Sequence, residues 1–311
     1  MRPDENRFLL LKARGAGFWF DMEHVVGGLL IAEMAGRIPI VYWGKNSIYG
    51  GSDEVNAFEQ FFLPVSAYSV RNLMRPDYRV CPAMWNPDNL ITEETSRFIT
   101  AWWYPMEEML ARTEEVMVLG WAPVHLVQSW LQQPHPACGT GPEGIYRYIF
   151  SKYITLQPSL AGEMDAFYDA YMQKRHILAV HVRASDKVTE IADLHRINQL
   201  YYPAIERYLA QNPDTFIFLL TESETILAEY RNVFKERLIY THCRRTRGEI
   251  PIYDPDRTKA IRMGAEVLKD TYLALRCNAF FGNSHSNVSN AVVRLKKWPA
   301  GSVKLFSVND L

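Results

Sequence analysis

Residues 176–190, HILAVHVRASDKVTE, join a continuous apolar run to a cluster of charges, and few folds accommodate that order. Ile177, Leu178, Ala179, Val180 and Val182 read as a strand covered on both faces, the pattern of a parallel sheet flanked by helices. His181, Arg183, Asp186, Lys187 and Glu190 then fall at its carboxyl end, the edge where open α/β sheets hold their ligands.

The rest of the chain supports an α/β reading. Residues 7–13 form a first strand, a Gly-Ala-Gly turn follows, an amphipathic helix runs from about Met22 to Ala35 with Gly36 as its stop signal, and Ile38 to Trp43 is a second strand. This β-α-β order implies a parallel sheet. Residues 44–175 read as mostly helical and loop-rich, with helical patterns at about 97–115 and 159–174. From 176 the alternation is regular: strands at 176–183, 215–221, 237–242, 279–282 and 302–308, and helices near 198–211, 223–234, 260–276 and 286–297. The expectation is two Rossmann-like domains facing across a cleft: an acceptor-side domain at 1–175, a nucleotide-binding domain at 176–297 and a terminal strand or tail at 298–311.

Composition excludes several classes. The 34 basic and 35 acidic residues leave a formal charge of −1, so neither nucleic acid nor an anionic membrane is an expected partner. The N-terminal MRPDENRFLLLKARG has no apolar core after a basic start, and a cytosolic protein without a membrane span is expected. Cys81, Cys138, Cys243 and Cys277 are widely spaced and read as packing residues, not as a zinc site or a disulfide framework.

A second informative stretch is 264–297. A helix bearing Asp270 leads into the strand AFFG, and Asn283, Ser284, Ser286, Asn287 and Ser289 lie where the next helix begins. Small hydroxyl and amide side chains there cap free N–H groups and leave room for a phosphate at the positive end of the helix. Ordinary capping explains the same residues. Pairing favours the anion: Arg183 and this turn end two strands of one sheet and could close on one pyrophosphate, which the guanidinium fork suits.

These residues resemble a known family. HVRASDKVTE looks like the HVRRTDKV-type motif of the α1,6-fucosyltransferases, which are related more distantly to the protein O-fucosyltransferases, and DTYLALRCNAFFGNSHSNVSN is similar to their second signature, an Asp followed sixteen residues later by a Ser, here Asp270 and Ser286. The resemblance covers about 176–297 well and 1–43 weakly. It implies an inverting glycosyltransferase of GT-B type with no metal and no cofactor, whose donor substrate is GDP-fucose or a related nucleotide sugar and whose acceptor is a glycan or glycoconjugate. It further implies that His181 and Asp270 contact the nucleobase, that Arg183 holds the β-phosphate and that Ser286 and its neighbours bind pyrophosphate. Glu190 would take the acceptor proton, with Lys187 nearby. One departure stands out: where the family has a second arginine this chain has Ala184. A charge-assisted bond of that kind is normally worth about 1.5–3 kcal/mol, so another cation compensates or the donor differs.

Other residues keep two readings. His181 is a hydrogen-bonded core histidine or a ligand, and Arg183 is a structural ion pair or a phosphate contact. Asp21 reads as an N-cap, and Glu23 either favours the helix dipole or serves as an alternative base. Thr221, Glu222 and Ser223 border the nucleotide or cap a helix. Arg244, Arg245 and Arg247 are a solvated surface or the cation missing at 184. Trp102, Trp103, Trp121 and Trp130 are core residues rather than sugar platforms on this reading. A transferase for a UDP- or dTDP-sugar, and a non-catalytic nucleotide-sugar or glycan binder, are the alternatives.

Overall fold

The computed structural model describes residues 6–50, 52, 54–92, 104–184, 191, 193–248 and 257–311. The chain divides into two compact units, Met1–Gln157 with Asp256–Gly264, and Pro158–Pro255 with Ala265–Leu311.

The first unit holds a parallel four-stranded sheet in the order β2-β1-β4-β3, made of β1 (Phe8–Lys12), β2 (Ile38–Tyr42), β3 (Val80–Cys81) and β4 (Val116–Val118). Its helices are α1 (Phe18–Met34), α2 (Phe58–Phe61), α3 (Met106–Ala111), α4 (Val124–Val127) and α5 (Gly141–Tyr153). Every residue of β1 is buried, as its run FLLLK requires. Helix α1 is apolar on nearly all sides and is buried accordingly. It ends in a Schellman motif: Gly36 adopts φ +58°, its N–H bonds to Glu33 O and the Arg37 N–H to Ala32 O. The stop signal at Gly36 is thus the observed one. The helix starts earlier than expected, however, with Gly17 as N-cap, so Asp21 lies inside α1 and is not its cap.

Two glycines let α1 sit where it does. A Cβ on Gly27 would stand 1.7 Å from Ala122 O, and one on Gly28 would stand 2.4 Å from the Leu11 side chain. The helix therefore presses on β1 and on the loop after β4 at the same level.

The second unit has a parallel five-stranded sheet in the order β7-β6-β5-β8-β9, from β5 (His176–His181), β6 (Thr215–Leu220), β7 (Leu238–Ile239), β8 (Ala279–Asn283) and β9 (Val303–Phe306). Its helices are α6 (Pro158–Tyr171), α7 (Leu194–Gln199), α8 (Tyr201–Gln211), α9 (Glu224–Phe234), α10 (Arg257–Ala274, which begins in the first unit's residues) and α11 (Asn287–Leu295). The chain leaves β5 toward β6 and β7 on one side and returns to β8 and β9 on the other. The order reverses between β5 and β8, which makes that gap the topological switch point.

The differences from the sequence expectation are local. The unit boundary falls at 157, ahead of the expected 175, and β9 is a member of the second sheet rather than a separate tail. The stretch expected to be helical and loop-rich carries two strands, β3 and β4, too short to show a period. Of the helix expected at 97–115 the described part is α3, and Trp102 and Trp103 lie outside the described residues.

Gly27→Ala is expected to lower the midpoint of urea unfolding, by the equivalent of about 1–3 kcal/mol or more, because the clash is with backbone and cannot be relieved by a rotamer. An unchanged midpoint would show that the loop after β4 yields freely.

Candidate functional site

The residues singled out by sequence converge on the carboxyl edge of the second sheet. At the switch point, β5 ends in His181 and β8 in Asn283, and both are buried. One hydroxyl joins them: Ser289 Oγ, in the first turn of α11, lies 2.8 Å from His181 Nδ1 and accepts the Asn283 N–H at 3.0 Å. The hydroxyl has one proton and two lone pairs, so it serves the Asn283 N–H and the imidazole together. Gly282 makes the approach possible, for a Cβ there would stand 2.5 Å from Ser289 Oγ. Asn283 Oδ1 accepts the His285 N–H at 2.9 Å, and Asn283 Nδ2 is buried with no partner among the described residues. Ser284 N–H bonds to Phe306 O, which continues the β8–β9 ladder. Ser286 is the N-cap of α11, but no side-chain cap bond is made there among the described residues, and Asn287 opens the helix beside it, exposed.

A second cluster lies one strand over. Beyond β5 the chain keeps its pairing through Val182 N–H to Leu220 O, which delivers Arg183 and Ala184 to the end of β6. Arg183 Nη1 stands 2.8 Å from Glu222 Oε1, and the same oxygen accepts the Ala184 N–H at 2.8 Å. Asn198 Nδ2 donates to Arg183 O and the Tyr201 hydroxyl donates to His181 O, so α7 and α8 hold the strand end from below. Ser223 caps α9 by accepting the Ile226 N–H. Of the two readings for residues 221–223, Ser223 therefore caps and Glu222 joins the charge cluster.

Asp270, on α10, lies at the end of β7, where its Oδ1 accepts the Thr241 hydroxyl. Arg245 spans the two strand ends, donating Nε to Thr221 O and Nη2 to Thr241 O. It is a staple between β6 and β7. The structure thus groups His181 with Asn283, Ser286 and Asn287, and Arg183 with Glu222, and sets Asp270 with Thr241 on the far side of β6. Glu190 and Lys187 lie outside the described residues. The sequence also carries one Asp-x-Asp triplet, Asp254-Pro255-Asp256, which bears on the expected metal independence and lies outside the described residues.

Burial sets the electrostatics. It drives the His181 pKa down to about 4, with Glu222 opposing and Arg183 adding to the effect, so the imidazole is neutral. Asp270 is pushed up to about 6 by burial, which outweighs the Thr241 hydrogen bond and the Arg245 charge. In the first unit Asp21 rises to about 7 and His24 falls to about 3, again chiefly by burial. Asp21 Oδ1 accepts the Arg14 N–H at 3.0 Å, so it fastens the turn that precedes its own helix. Glu23 Oε1 accepts the Val124 N–H at 3.1 Å, and that bond commits it to the loop after β4 rather than to its own helix dipole.

No family model matches the chain, and no curated protein matches it. Solved structures do. NodZ alpha-1,6-fucosyltransferase soaked with GDP-fucose aligns over 94% of this chain and 93% of its own, at 20% identity and a TM-score of 0.64. The fold is a fucosyltransferase fold. The fucosyltransferase NodZ from Bradyrhizobium aligns over 92% of both chains at 19% identity and a TM-score of 0.63. POFUT1 in complex with GDP-fucose aligns over 98% of this chain and 99% of its own, at 14% identity and a TM-score of 0.60. The expected α/β class with parallel sheets is the observed one, and the match spans both units, including the residues between 44 and 175 where the sequence offered no resemblance.

The residues that sequence reasoning passed over are those whose role is contact with another element: Tyr201, Asn198 and Thr241. Ser289 was noted as a helix-start residue, and its three-residue spacing from Ser286 was the signal that it faces inward.

Two outcomes are expected. Ser289→Ala strands the Asn283 N–H and His181 Nδ1 in the interior and destabilises the fold by about 1–3 kcal/mol in chemical unfolding. For His181 the folded pKa lies below the unfolded value of about 6.5, so its contribution is complete above that pH and is lost as pH falls toward 4. His181→Gln should therefore cost most near neutrality and progressively less on acidification, and a cost independent of pH would show that the imidazole is not held neutral.

Proposed function

We propose that the protein is a glycosyltransferase that moves fucose from GDP-fucose to a hydroxyl of a glycan or glycoconjugate, with inversion and without a metal. The observation that carries this reading is the carboxyl edge of the second sheet: a helix start without a side-chain cap and two buried polar strand ends sit at the β5–β8 switch point, with a guanidinium one strand over, in a fold shared with POFUT1 in complex with GDP-fucose.

In this mechanism the acceptor oxygen attacks the anomeric carbon from the face opposite the departing diphosphate. The C–O bond to GDP breaks as the new glycosidic bond forms, and a base takes the hydroxyl proton. Glu190 is that base, and Lys187, three residues before it in the sequence, assists. Charge collecting on the β-phosphate is met by Arg183, by the first-turn N–H groups of α11 from Asn287 onward and by the hydroxyls of Ser284 and Ser286. Glu222 is an orienting group: its Oε1 accepts from both Arg183 and the Ala184 N–H, so the guanidinium is aimed before the donor arrives. His181 and Asp270 recognise the nucleobase, the first as a neutral imidazole, the second as a carboxyl whose pKa burial raises to about 6.

The test is calorimetric titration with GDP, UDP and dTDP, followed by a transfer assay with and without chelator. GDP should bind selectively, and chelator should leave turnover unchanged. Preference for UDP or dTDP would overturn the donor, and loss of turnover on chelation would direct attention to Asp254 and Asp256.

Arg183→Ala should weaken GDP binding by about 1.5–3 kcal/mol, and the double variant with Glu222→Gln separates that loss from the cost of an unpaired carboxylate. Glu190→Gln should cut turnover by about 10²–10⁴-fold and leave GDP affinity unchanged. Normal turnover in this variant would remove Glu190 from the reaction.

A further inference from the structure

The carboxyl edge of the first sheet has a switch point of its own, between β1 and β4, and an aromatic stack stands there. Three consecutive aromatics open α1. Phe18 and Trp19 are turned into the core, at 2% and 4% exposure, and Phe18 is ringed by Trp43, Tyr49 and Phe61. Phe20 faces the other way and is 36% exposed. Its ring lies flat on Trp121, from the loop after β4, with centroids 4.4 Å apart and planes 9° apart. Trp121 in turn stands 5.8 Å from the His24 ring at 27°.

The stack is held rigidly. His24 Nδ1 accepts the Ala122 N–H at 3.3 Å, Glu23 Oε1 accepts the Val124 N–H at 3.1 Å, and Gly27 meets Ala122 O without room for a side chain. Three residues of α1 thus fix the loop that carries Trp121. Gly17 lies one turn before Phe20 in open surroundings: its N-cap φ and ψ of −61° and 154° suit any residue, and a Cβ there meets nothing within 4 Å.

We propose that Phe20, backed by Trp121, is a stacking platform for one pyranose ring of the acceptor. This rests on the glycosyltransferase reading above. A pyranose has an apolar C–H face and a rim of hydroxyls, and it stacks on a rigid, flat, uncharged aromatic surface at little entropic cost. The position is where an open parallel sheet receives ligands. Arg14 stands 5.9 Å from the Trp121 ring centroid but is itself buried, so the surface left to a ligand here is the exposed ring of Phe20, which suits the C–H face of a neutral sugar. Phe20 and Trp121 are then specificity-determining residues for the acceptor, and Trp121 is not merely core.

The probes are cellotetraose, mannotetraose and chitotetraose, each titrated into the full chain by saturation-transfer NMR and tryptophan fluorescence, alongside GDP. At least one tetrasaccharide should bind the wild type. Phe20→Ala should weaken it by about ten-fold, and Phe20→Tyr should retain it. Gly17→Trp fills the open space without disturbing the core and should also weaken it, while GDP affinity stays the same in all variants. The proposal is overturned if none of the three sugars binds the wild type or if Phe20→Ala and Gly17→Trp bind as the wild type does. It is likewise overturned if Phe20→Ala lowers GDP affinity, which would make the ring a nucleobase contact, or dissociates an oligomer, which would make it a subunit contact. Sugar binding without GDP binding would instead overturn the donor assignment and leave the platform standing.

Discussion

The second unit turns on one buried hydroxyl. Ser289 Oγ meets the end of β5 through His181 and the end of β8 through the Asn283 N–H, and it does so from the first turn of α11. Strand, strand and helix start are therefore fixed to a common point. Placed in a desolvated interior, the three groups have no water to fall back on, so each depends on the other two. The neutrality of His181 follows, as does the need for glycine at 282, because nothing with a Cβ admits the hydroxyl so close. The helix start that this arrangement presents to the sheet edge is oriented before any ligand arrives.

How far the fold was legible depended on the length of each element. The strands at 176 and 215 and the helices at 224 and 260 are long enough to carry a period, and they stand where the pattern put them. Strands β3 and β4 span two and three residues and carry no period at all; they exist because β1 offers an open edge to pair with. The start of α1 was misplaced because Gly17 gives no capping signal and Asp21 gives a false one. At the site, the charged and hydroxyl residues were visible as residue types, whereas their pairing was not. Nothing local in the sequence says that Glu222 reaches back to Arg183 and Ala184, or that Arg245 staples Thr221 to Thr241, since both depend on which strands are neighbours.

At the end of β5 a backbone and a side-chain donor share one acceptor: the Ala184 N–H converges with Arg183 on one oxygen of Glu222. The shared oxygen ties the Arg183 side chain to the backbone at 184 and so restricts where the guanidinium can point. Arg245 is occupied with backbone carbonyls at the ends of β6 and β7.

Both sheets reverse their strand order beside the strand that leads each unit, β1 in one and β5 in the other, yet the two edges are built from opposite materials. The edge at β5 and β8 is made of small hydroxyls, an amide, a guanidinium and a helix start, which together favour a multiply charged oxyanion. The edge at β1 and β4 is made of stacked rings locked by Glu23, His24 and Gly27, with the polar atoms of Asp21 and His24 buried beneath. Burial leaves His24 uncharged and raises Asp21 to about 7, and Arg14 lies buried beside Trp121, so the part of that edge open to a ligand is the flat apolar face of Phe20. On the glycosyltransferase reading proposed above, an anionic donor and a neutral acceptor call for two unlike surfaces, and the two edges differ in that sense.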